Sequence, residues 1–148
     1  TSMSNFNTDI RHQARRLALA GIFGWLFSEQ KKEACLDLST ELLEINENDK
    51  ALTDTIVNGV KSHNDEIDKI ISECAPEWPI DKISKIDLVI LRIAVFELLY
   101  SKQVPEKVAI DEAVELAKEF GNDTSSKFVN GVLGTVVDKR PELNLERN

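Results

Sequence analysis

The chain has 148 residues, 42% of them hydrophobic, and carries a formal net charge of −8. That length gives one domain with a genuine core, and the acidic balance argues against a protein that meets nucleic acid through its overall charge. The sequence has no apolar run of about eighteen residues, so no membrane span and no membrane partner is expected.

The charge is unevenly placed. Residues 1–28 carry three Arg and one Asp (+2), residues 29–81 five Lys and fourteen acids (−9), and residues 82–148 ten basic and eleven acidic side chains (−1). Local fields, not the mean, then decide what approaches. Residues 1–8 show no period and read as a flexible arm that lacks the apolar segment of a signal peptide. Thr8 or Asp9 caps a first helix running to about Phe27, in which Ile10, Ala14, Leu17, Ala18, Gly21, Ile22 and Trp25 recur near helical spacing. On it Arg11 and Arg15 form one i,i+4 pair and His12 and Arg16 a second, so the four share one broad polar face.

Residues 33–45 read as a second amphipathic helix carrying Cys35, Leu38, Leu42, Leu43 and Ile45. Asp49 can cap the next segment, and 49–73 is one long helix or a kinked pair whose apolar phase shifts after Ser62-His63-Asn64. Pro76 and Pro79 break the chain around Trp78. Asp81 or Ser84 starts a helix over about 84–101 that is apolar around most of its circumference, the mark of a central core helix. Pro105 suits the first turn of the next helix, whose stripe is Val108, Ala109, Ala113, Leu116, Ala117 and Phe120. Gly121 reads as its C′ residue. Asp123 or Thr124 caps the last helix, with Phe128, Val129, Val132, Leu133 and Val136 on its apolar side. Gly131 and Gly134 there would let another backbone come close. Arg140-Pro141 ends it, leaving a polar tail at 141–148. No strand and no repeat is visible, so the expected fold is all-α, one domain over 1–148.

The stretch LRIAVFELLY, VPEKVAIDEAVELAKEF and SSKFVNGVL resembles the NusB family of bacterial transcription antitermination factors, with both helix breaks in register. ARRLALAGIFGWLFS likewise looks like that family's basic, aromatic-bearing first helix. The resemblance covers about 10–28 and 83–137; the acidic middle matches only in pattern. It implies a helical bundle of two three-to-four-helix subdomains and an RNA-binding role without catalysis. It also implies a heterodimer with the ribosomal protein NusE that captures single-stranded boxA-type RNA. The pair would help load an RNA polymerase elongation complex with other Nus factors.

Two surfaces could carry RNA. Arg11, His12, Arg15 and Arg16 can hold phosphates, for which the arginine fork is well shaped; without the resemblance they would read as an ordinary solvated face. Arg16, next to Leu17, has a core-edge carboxylate as its alternative partner. Gln13 interrupts a run that is denser in the family. The start of the last helix offers free N–H groups, the hydroxyls of Thr124, Ser125 and Ser126, and the Lys127 cation. Phe128 lies on the apolar stripe by pattern, whereas the resemblance puts the matching aromatic on the RNA side, where unpaired bases stack. Many family members have Asp in place of Thr124. Asn130 either reads a base edge or caps a neighbouring helix. Phe23 and Asp87 match positions near the family's NusE contact; otherwise they read as a core residue and a first-turn acid favoured by the helix dipole.

Other chemistry is not expected. Gly21-Ile22-Phe23-Gly24 and Gly131-Val132-Leu133-Gly134 match the GxxG of KH domains but fall inside helices. Glu112, Glu115 and Glu119 lack the histidine of a di-metal bundle. Cys35 and Cys74 form no CxxC pair and read as buried thiols in a reducing cytoplasm. Hence no enzyme, no cofactor and no metal is expected. Two alternatives remain: a protein–protein adaptor or homodimer that masks the arginine face, and the RNA-binding module of a ribosomal RNA cytosine methyltransferase. The second is disfavoured because such chains continue into a catalytic domain.

Overall fold

The computed structural model describes residues 3–27, 49–101 and 103–139, with side chains from residue 10 onward except those of residues 26 and 27. The expected helix over 33–45, Cys35 and the tail at 141–148 lie outside the described residues. Everything regular among the described residues is helical: α1 (Met3–Phe27), α2 (Lys50–Ser62), α3 (Asn64–Cys74), a 3-10 turn (Ile80–Lys82), α4 (Lys85–Tyr100), α5 (Glu106–Phe120) and α6 (Ser125–Lys139). The expected all-α class is thereby met. The backbone divides into two compact units, Thr1–Gly59 and Val60–Asn148.

In the first unit α1 begins at Met3, ahead of the Thr8 or Asp9 cap and in place of an irregular arm over most of residues 3–8. Its buried stripe is Ala14, Leu17, Ala18, Leu19 and Ile22. Asp49 caps α2 as its residue type predicts, its Oδ1 accepting the Leu52 N–H at 3.0 Å. The buried Thr53 hydroxyl lies 3.2 Å from both the Ala14 carbonyl on α1 and the Asp49 carbonyl. One side chain thus joins a helix start to a neighbouring helix.

In the second unit α4 packs against α3, α5 and α6. It is buried at every position from Asp87 to Leu99, as its all-round apolar pattern predicts. The Ser84 hydroxyl caps it, accepting the Asp87 N–H at 3.2 Å. Arg92, 6% exposed within this apolar surround, forms a bidentate pair with Asp68 on α3, Nε to Oδ1 and Nη2 to Oδ2 both at 2.8 Å. Such a fork fixes the register of α3 on α4 as well as neutralising a buried charge. The 49–73 segment is the kinked pair, broken at His63. The His63 ring stacks on Tyr100 with centroids 4.0 Å apart. Pro105 sits one position outside α5, as its N-cap at φ −60° and ψ 146°, rather than within its first turn. Gly131 and Gly134 do not mediate a close approach to another described helix, since, apart from their chain neighbours and the nearby backbone of α6, no described atom lies within 4 Å of a Cβ placed on either.

Candidate nucleic-acid interface

The turn between α5 and α6 is built by three small residues. Asn122 Oδ1 accepts the Thr124 N–H at 2.9 Å and the Thr124 hydroxyl at 2.8 Å, the local pattern by which asparagine replaces backbone partners in a turn. Its own N–H donates to Ser125 Oγ at 3.0 Å. Ser125 is 1% exposed. Its hydroxyl therefore closes the turn and is not presented to an anion, which corrects the expectation drawn from sequence. Neither Asp123 nor Thr124 caps through its side chain; Thr124 caps only through its carbonyl, which accepts the Phe128 N–H at 3.1 Å. Gly121 has φ −91° and ψ −167°, so it is not the left-handed C′ residue expected. It is glycine for want of space: a Cβ would collide with the Ser125 side chain and come within 2.7 Å of the Ala117 carbonyl.

This turn delivers Thr124 and Lys127 to the surface, both exposed, and Phe128 to a half-buried position. The Phe128 ring meets Trp78 edge to face, centroids 6.1 Å apart at 75°. Trp78 is 51% exposed, an unusual state for so large an apolar group. From one segment Trp78, Lys82, Ile83, Ser84 and Asp87, and from the other Asn122, Thr124, Lys127 and Phe128, line a groove of about 670 Å³. Asp87 is 7% exposed and its Oδ1 makes no hydrogen bond among the described residues. Its place in this groove, beside Lys127 and Phe128, was not legible from its position as a first-turn acid. Asn130 is exposed. A second, smaller hollow of about 320 Å³ on Trp78 and Phe128 runs past Cys74, Gly131 and Thr135. Burial pushes the Cys74 thiol pKa up, with Lys139 opposing, which makes it a poor nucleophile.

In the first unit the basic set is divided. Arg11 is exposed, His12 and Arg16 are half-buried, and Arg15 is 2% exposed. The four do not share one polar face. Arg15 stands at the head of the stripe that continues through Leu19 and Ile22, so helical geometry turns it inward. Arg16 Nη1 donates to Gln13 Oε1 at 2.6 Å, an amide one turn away on the same helix. Phe23 is half-buried. Trp78 and Lys82 are the groove residues that pattern reasoning passed over. The available signal was a tryptophan held between two prolines, where no helix could bury it.

Aromatic rings, exposed lysines and a helix start on an all-α frame define a small helical binding protein, and no metal-ligating cluster occurs among the described residues. The NusB family model matches residues 12–138, and the chain belongs to the NusB family, transcription antitermination factors and not enzymes. It is 39% identical over 139 residues to the transcription antitermination protein NusB of Herpetosiphon aurantiacus, spanning 88% of this chain and 91% of that one. To the NusB of Roseiflexus castenholzii it is 39% identical over 135 residues, 90% and 95% of the two chains. The solved T. maritima NusB matches with a TM-score of 0.74 and 30% identity, over 91% of this chain and 97% of that one. A chain from the structure of antitermination factors NusB and NusE in complex with dsRNA matches with a TM-score of 0.72 and 25% identity, over 86% and 95%. Among the described residues no helix is long and apolar enough to cross a membrane.

Proposed function

We propose that this cytoplasmic protein binds single-stranded boxA-type RNA as one half of a heterodimer with the ribosomal protein NusE. The pair then helps load a processive RNA polymerase elongation complex with other Nus factors, including on ribosomal RNA operons. The observation that supports this most is the groove at the start of α6. It combines two exposed lysines, a half-exposed tryptophan and a partly exposed phenylalanine. Cations hold phosphates and rings hold unpaired bases. A relative solved together with NusE and RNA supports the choice of partners. In this reading Thr124, Lys127, Phe128 and Asn130 meet RNA from the second unit, and Arg11, His12 and Arg16 from the first. Phe23 faces NusE.

The test is a binding titration of a boxA-type single strand against a scrambled strand, with and without NusE. The boxA strand should bind more tightly, and log K should fall with log salt by roughly 0.7 for each phosphate neutralised. Equal affinity for the two strands in the presence of NusE would sink the proposal.

A further inference from the structure

The smaller hollow of about 320 Å³ shares Trp78, Lys127 and Phe128 with the groove but extends away from it, past Cys74, Gly131 and Thr135. Its path follows α6 toward Lys139, whose charge acts on the Cys74 thiol. At Gly131 there is room: apart from its chain neighbours and the nearby backbone of α6, no described atom lies within 4 Å of a Cβ placed there. Apolar surface of this kind, next to a tryptophan that is 51% exposed, gains from a cover. Residues 140–148, outside the described residues, follow directly on α6 with the sequence RPELNLERN. Pro141 lacks the N–H that a continuing helix needs. In extended backbone alternate side chains share a side, so Leu143 and Leu145 form one apolar edge. Glu142 and Glu146 flank those leucines, as Lys127 and Lys139 flank Gly131 and Thr135 on α6. The reach is sufficient: from 139 to 145 an extended chain covers about 20 Å, while α6 from Lys139 back to Phe128 covers about 16 Å.

We propose that this hollow is the docking site of the chain's own residues 142–146, with Leu143 and Leu145 seated over Gly131 and against Trp78, and that RNA has to displace this segment. Burial of the two leucines drives the contact. The glutamate–lysine pairs set its direction and add little energy at an exposed site. A tether this short holds the segment at an effective concentration in the millimolar range, so a weak contact is enough to keep it seated. The seated segment covers Trp78 and Phe128 and engages Lys127, three groups of the RNA groove. Its covering role rests on the reading of that groove as an RNA surface; the docking itself does not.

The experiment reads docking and RNA affinity separately. The sequence has two tryptophans, so in Trp25→Phe the emission reports Trp78 alone; subtracting Trp78→Phe from the unaltered protein gives the same signal. Two variants remove the segment's grip: a chain stopped after Lys139, and the full chain with Leu143→Ser and Leu145→Ser. Residues 140–148 carry two Arg and two Glu, so neither variant changes the net charge. In both, Trp78 emission should move to longer wavelength and acrylamide should quench it more. If the segment is seated about nine-tenths of the time, only the open tenth takes RNA, so both variants should bind a boxA-type strand about tenfold more tightly. Gly131→Leu fills the hollow, and in it the stop after Lys139 should change neither readout. Identical emission and quenching with and without the two leucines overturns the docking, and boxA binding by the same samples leaves the RNA reading standing. A leucine effect that grows with protein concentration makes the occupant a second copy of the chain and also overturns it. An emission response with no gain in RNA affinity overturns the covering role. No RNA binding by any variant removes the proposed function, while the emission response still decides the docking.

Discussion

Arg11 and Arg15 stand one helical turn apart, and their surroundings are opposite. Arg11 is exposed, while Arg15 is 2% exposed on the side of α1 that carries Leu19 and Ile22. An i,i+4 pattern puts two side chains on one face but does not say how deep that face dips along the helix. The two arginines should separate in experiment. Arg11→Ala should weaken RNA binding several-fold, flatten its salt dependence by about one phosphate, and leave the melting temperature unchanged. Arg15→Ala should lower stability by about 1–3 kcal/mol, because a buried charged group and its packing are removed. Parallel melts and RNA titrations check both. A stable Arg15→Ala with impaired binding would show that Arg15 turns outward to the RNA. The sequence located the basic cluster; its division into a surface and a structural arginine depends on tertiary depth, which no local spacing encodes.

The helices themselves were largely legible, because burial imposes its period on the chain. The apolar circumference of α4, the phase shift at His63 and the serine cap at Ser84 all correspond to observed features. What escaped were features set by local space. Gly121 is required by the Ser125 side chain folded back over it, not by a left-handed backbone. Gly134, by contrast, has open space around it among the described residues, so Gly134→Ala should stabilise α6 by up to about 1 kcal/mol, seen as a higher midpoint in thermal or urea unfolding. The α3–α4 contact makes a second prediction. Tyr100 donates to Glu66 Oε2 at 2.5 Å and stacks on His63. Burial, then the bond to Glu66, then the Glu66 charge push its pKa well above the ordinary 10.0. The unfolded chain thus loses the phenolic proton first. The contribution is present in full below pH 10.0 and is lost as pH rises above it. Stability of the natural chain should fall more steeply than that of Tyr100→Phe above that pH. With one tyrosine in the sequence, phenolate absorbance gives a direct check: titration at the ordinary value would refute the arrangement.

At the scale of the whole molecule, a chain with net charge −8 gains nothing from its mean field in approaching a polyanion. Its binding must come from cations set against the average, and the acids held in residues 29–81 leave the early and late stretches free to supply them. This yields a quantitative expectation. If Lys82 and Lys127 on the groove each neutralise one phosphate, either change to alanine should reduce the slope of log K against log salt by about 0.7, and the double change by about 1.4. The loss should be alike for every RNA sequence, since phosphates carry no base information. Trp78→Ala should behave in the opposite way: an unchanged slope, with affinity lowered by about 1–3 kcal/mol where a base is stacked. Reversing the charge of exposed acids outside the groove, such as Asp54 or Glu119, should raise affinity modestly at low salt and fade as the Debye length shortens from about 10 Å at 0.1 M toward 3 Å at 1 M. A common slope for natural protein, Lys82→Ala and Lys127→Ala would mean that RNA does not reach these lysines. The division of labour between cations and rings would then have to be placed elsewhere on the molecule.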